Sequence, residues 1–100
     1  MTLLEKSVAD ALRLSEKGAE KLNSVIRRHI RTARAELIRA GVPKVLAESD
    51  HPLVEDAIVT FCMYKMDDED EQEKHWQAFE YQEDTLRKST ISLEEAETGE

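Results

Sequence analysis

His51-Pro52-Leu53-Val54-Glu55-Asp56-Ala57-Ile58-Val59-Thr60-Phe61-Cys62-Met63-Tyr64-Lys65-Met66 is the stretch that decides the fold. Leu53, Val54, Ala57, Ile58 and Phe61 return every three or four residues and make one broad apolar face. Val59, Met63 and Met66 make a second stripe roughly opposite. The spacing predicts a helix over 52–66, with Asp50 or His51 as its cap and Pro52 tolerated in its first turn. A helix that is apolar on most sides is buried on most sides. In a chain this short the second stripe is expected to face another subunit, which makes Val59, Met63 and Met66 the candidate subunit interface.

Upstream, Thr2 and Glu5 have the spacing of a capping box and predict a first helix to about Arg13, with Leu4, Val8, Ala11 and Leu12 on its apolar face. Ser15 is placed to cap the next segment, and Gly18 loosens the junction. A longer helix is predicted over about 19–40, burying Leu22, Val25, Ile26, Ile30, Ala33 and Leu37, with His29 beside that stripe and Arg27, Arg31 and Arg34 on the far side. Gly41 is a good residue to end it, Pro43 prevents its continuation, and a loop is expected from Val42 to Asp50. Downstream, Asp67-Asp68-Glu69-Asp70-Glu71 is read as a loop leading into the first turn of a fourth helix, which runs to about Lys88 with Trp76, Phe79, Glu83 and Leu86 inward. Ser89-Thr90-Ile91-Ser92-Leu93 alternates and reads as extended, and Glu94 to Glu100 as an acidic, disordered tail. The fold class expected is therefore all-α: a single domain over 1–93, about four helices and an extended C-terminal segment, with 94–100 as tail.

Composition agrees. Of the 100 residues 40% are hydrophobic and 36% charged, which suits a small helical domain with a heavily solvated surface. The net charge of −8 argues against a general affinity for nucleic acid, though not against a local basic patch. One cysteine, Cys62, allows no internal disulfide. Met1 to Lys6 lacks the apolar run of a signal peptide and no stretch is apolar enough to span a bilayer, so no membrane association and a cytoplasmic setting are expected.

Catalytic signals are weak. Cys62 lies inside the apolar helix without an evident activating partner and reads as a structural thiol. His29, His51 and His75 show no metal-ligand spacing, and the acidic run lacks the glycine and final glutamate of a calcium loop. Three glycines offer no phosphate-binding loop. Arg27, Arg31 and Arg34 form a candidate polar or phosphate-facing surface, read first as a solvated helix face or one that pairs with acidic residues of a neighbour. Trp76 and Phe79 read as core anchors, since basic residues do not surround them. No enzyme activity, cofactor or metal is expected.

Several segments in order carry a resemblance. Leu3-Leu4-Glu5-Lys6 with Ala11-Leu12-Arg13-Leu14-Ser15, the turn Ala40-Gly41-Val42, the helix start Asp50-His51-Pro52-Leu53-Val54 leading into Ala57-Ile58-Val59-Thr60-Phe61-Cys62, the helix Trp76 to Lys88 and the closing Thr90-Ile91-Ser92-Leu93 together resemble head–tail connector proteins of siphophage-type tailed phages, often labelled DNA-packaging proteins. The chain differs from that pattern in two places: His51 stands between the Asp and the Pro, and Asp67-Asp68-Glu69 replaces an aromatic-glycine turn. The resemblance implies a structural subunit that forms a ring, twelve-fold, under the portal protein, extends the DNA channel and supports a head-completion or tail protein. DNA would only pass through, past like-charged walls. The setting would be the host cytoplasm during assembly and then the virion head–tail junction. It also implies Ile91 and Leu93 as the portal-docking edge of an extended arm. Two other classes stay open: a small helical nucleic-acid-binding packaging or regulatory protein, such as a terminase small subunit, and a small enzyme or metal protein.

Overall fold

The structure, a computed structural model, describes residues 1–88, and the chain over that span is all-helical. Helix α1 (Leu3–Ala11) opens on the expected capping box: the Thr2 hydroxyl accepts from the Glu5 amide at 3.0 Å, and the Glu5 carboxylate accepts from the Thr2 amide at 3.1 Å. Arg13 then turns the chain in a left-handed conformation, with φ at 58°. Ser15 caps α2 (Glu16–Lys21) by accepting from the Gly18 amide at 3.0 Å.

The single long helix expected over 19–40 is two helices. α2 ends at Lys21, Leu22 sits at φ −98° and ψ 6°, and α3 (Asn23–Arg39) starts afresh. The Asn23 side-chain amide donates to the Glu5 carboxylate of α1 at 3.0 Å, a tether that fixes where α3 begins. Ile26, Ala33 and Leu37 are fully buried on α3, with Leu22 and Ile30 packed beside them. Gly41 ends the helix with φ at 108°. A side chain there would also crowd the Arg87 side chain, with Cδ at 3.1 Å, but it is the positive φ that calls for glycine.

The stretch read as a loop holds a short helix, α4 (Lys44–Ala47), which buries Leu46 and Ala47. The deciding stretch forms α5 (Pro52–Met66), and His51 is its cap: ring Nδ1 accepts from the Leu53 amide at 3.2 Å. A 3₁₀ turn (Glu69–Glu71) leads into α6 (Gln72–Arg87). Four helices of nine residues or more and two short ones thus make the fold. The Cα envelope measures 38 × 28 × 17 Å, thick enough for two layers of helices at the usual spacing of about 8–10 Å.

α5 is the central helix and packs against α1, α3 and α6. Val54, Ala57, Ile58, Phe61 and Cys62 are buried on it. Four of the five aromatic residues make a wall between α5 and α6: ring centroids lie 5.1 Å apart for Phe61–Phe79, 5.0 Å for Tyr64–Trp76 and 5.7 Å for Trp76–Phe79. These tilted offsets are favourable aromatic geometry. Ile91, Leu93, the rest of the proposed extended segment and the tail 94–100 lie outside the described residues.

Candidate functional site

On α5, the residues of the second apolar stripe differ in how far their own chain covers them. Val59, Met63 and Met66 are all half-buried, and Val59 and Met66 pack against the core of their own chain. Met63 stands outside that cluster and is the member of the stripe least engaged within its own subunit.

Arg27, Arg31 and Arg34 do not lie on a face remote from the other helices. α3 carries them into one open groove of about 500 Å³, bounded by the start of α1 (Thr2, Leu3, Leu4) and by Asp50 and Glu55 at the start of α5. The cause is that α1 and α5 both pack along α3, so its flank is walled on two sides. The environments of the three arginines differ. Arg34 is half-buried, and its Nη1 donates to the carbonyls of Ala47 and Ser49 at 2.9 Å each, closing the chain between α4 and α5. Burial lowers its pKa, against the opposing charges of Glu55, Glu48 and Asp50. Arg27 and Arg31 are exposed, and among the described residues neither has a carboxylate within 4.0 Å. Glu5, largely buried in the groove wall, is hydrogen-bonded to Asn23 and Thr2, and the Asn23 side-chain amide, helped by the charge of Arg27, holds its carboxyl below the usual range.

At the other end of α5 lies the acidic turn. Asp67 ends the helix and its Oδ2 meets His75 Nε2 of α6 at 2.7 Å, while its Oδ1 accepts from the Asp68 amide at 2.8 Å. The bond to His75 lowers the Asp67 pKa, with smaller help from Arg13. His75 is buried, although the sequence reading leaves it off the inner face. Its spacing to Phe79 and Leu86, i, i+4 and i+11, is the signal that could have placed it there. Asp68, Glu69 and Asp70 project into solvent, and Glu71 faces Lys74 at 3.6 Å.

A carboxyl pair stands between α3 and α6. Arg39 holds Glu36, with Nε on Oε1 at 2.9 Å, and keeps the Glu36 pKa low. Glu83 faces Glu36 with its Oε2 buried and without a donor, and burial together with that negative charge pushes its pKa up to about 7. The apolar period places Glu83 inward but says nothing of its partner on α3.

None of this geometry aligns a nucleophile with a base. Cys62 is fully buried on α5 and burial pushes its thiol up to about 12, so it stays protonated at neutral pH. The histidines sit apart, His29 on α3, His51 at the α5 cap and His75 on α6. Among the described residues no helix is long and apolar enough to cross a membrane. No protein-family model, curated protein or solved structure matches the chain.

Proposed function

We propose that the chain is a structural subunit of a tailed-phage head–tail connector, working by assembly rather than catalysis. The observation that carries this reading is the ordered set of resembling segments from Leu3 to Leu93, one of which, Asp50 to Cys62, runs into the central helix of the fold. The subunits form a ring on the portal, twelve-fold, extend the DNA channel and offer a platform to a head-completion or tail protein. A net charge of −8 suits a channel wall that must not hold DNA. Met63, the least engaged residue of its stripe, is the side chain best placed for a subunit contact. The test is electron microscopy of the purified chain mixed with portal rings. Wild type should add a density ring. Met63→Glu should fail to add it while keeping its helical circular dichroism, and a ring that forms normally with Met63→Glu removes the stripe from the interface.

The exposed Arg27 and Arg31 favour a second reading, a helical nucleic-acid binder of the packaging machinery. Micromolar or tighter binding of duplex DNA at physiological salt would select it, since a connector should show no such complex.

A further inference from the structure

We propose that the groove lined by Arg27 and Arg31 is a socket for the acidic turn Asp68-Glu69-Asp70 of a second copy of this chain, so that copies join head to tail. The proposal deepens the assembly reading and rests on it for its biological setting.

The chain carries 22 acidic residues against 14 lysines and arginines, yet Arg27 and Arg31 stand exposed in a groove without an ion-pair partner among the described residues. In an acid-rich protein, two neighbouring arginines one helical turn apart that form no ion pair are a specific arrangement, because even the carboxylates on the groove wall stay beyond 4.0 Å of them. Of the carboxylates that line the groove, Glu5 is hydrogen-bonded to Thr2 and Asn23 and feels the charge of Arg27 only at a distance, while the charges of Asp50 and Glu55 act on Arg34; none makes an ion pair with Arg27 or Arg31. Conversely, Asp68, Glu69 and Asp70 are exposed and have no cation within 4.0 Å among the described residues.

The fold keeps these two patches apart. Thr2, Leu3 and Leu4 at the start of α1 border the groove, whereas Arg13, just past the end of α1, is the arginine whose charge reaches Asp67. The nine residues of α1 separate the two ends by about 13 Å of helix rise. A chain therefore cannot place its own acidic turn in its own groove. Two complementary patches at different places on one surface give a heterologous contact, which closes into a ring or runs on as a filament. Leu3, 83% exposed at the groove rim, offers an apolar contact beside the charges. Arg34 contributes field but not a free hand, because it is bonded to the Ala47 and Ser49 carbonyls.

The test is sedimentation velocity of the full chain without portal, at high protein concentration. Self-association is expected at low salt and should weaken about tenfold or more between roughly 50 and 500 mM salt, where screening shortens to a few ångströms. Arg27→Glu/Arg31→Glu should be monomeric, and so should Asp68→Lys/Asp70→Lys, each with an unchanged helical spectrum since all four residues are exposed. The chain carrying all four changes restores complementary patches and should associate again. Wild type that stays monomeric throughout, or a four-fold variant that does not recover, overturns the proposal. So does duplex DNA binding by wild type that Arg27→Glu/Arg31→Glu abolishes without any self-association, which assigns the groove to phosphate. The portal experiment is separate: salt-sensitive association with no portal binding keeps this contact and refutes the connector, and portal rings built equally well by Arg27→Glu/Arg31→Glu do the reverse.

Discussion

Replacing Glu83 by glutamine should make the protein more stable at alkaline pH and leave it unchanged in acid. Glu83 lies on α6 opposite Glu36 of α3, with one carboxyl oxygen buried and lacking a donor. The groups around it are Glu36, Arg39 and Glu80, and Arg39 is already committed to Glu36. A proton on Glu83 supplies the missing donor and removes a like-charge contact, which is why its pKa stands at about 7 instead of 4.5. An acid whose pKa is raised by folding contributes stability in full below its unfolded value, and loses it as the pH climbs through its folded value. The window here is from 4.5 to about 7. At about 1.4 kcal/mol per tenfold the ceiling is roughly 3 kcal/mol. Partial hydration of the pair, and the opposite displacement of Glu36, bring the expected effect to about 1–2 kcal/mol. Glutamine is neutral at every pH and keeps a donor. Urea melts of wild type and Glu83→Gln should coincide near pH 4 and separate by about 1–2 kcal/mol in favour of the variant by pH 8. A constant offset across that range, or a wild type more stable at pH 8, refutes the reasoning.

Arg34→Ala leaves the Ala47 and Ser49 carbonyls without their donor and should cost about 1–3 kcal/mol in chemical denaturation, whereas exposed Arg27→Ala should stay within about 0.5 kcal/mol. Arg13→Gly relieves a left-handed residue, a conformation that costs a non-glycine about 1–2 kcal/mol, and after the entropy glycine adds to the unfolded chain a gain of up to about 1 kcal/mol should raise Tm by a few degrees. Cys62, buried and with its thiol at about 12, should react with a thiol reagent at pH 8 only as fast as the chain opens, and completely in denaturant; immediate labelling of the native protein would contradict its packing.

Local chemistry along the chain sets the helices and several of their ends. The Thr2–Glu5 capping box, Ser15, Gly41 followed by Pro43, and Pro52 each act within a few residues, so their effect is written in the sequence and appears in the fold. The apolar period over 52–66 likewise marks α5 as a helix covered on most sides. Features that depend on distant partners took shape only when the helices packed. The break at Leu22 belongs with the tether from Asn23 to Glu5, eighteen positions away, which periodicity within one helix cannot reveal. The arginines look alike in sequence, yet Arg34 is bound to the Ala47 and Ser49 carbonyls at the end of α4 while Arg27 and Arg31 form no such bond in the groove, a difference set by where α4 ends against α3. His75 is not marked by the apolar period of α6, and it is the turn at Asp67 that folds a carboxylate against its buried ring. The Glu36–Glu83 pair exists because α3 and α6 bring two carboxyl groups together, and a proton shared in that way depends on position in space rather than in the chain.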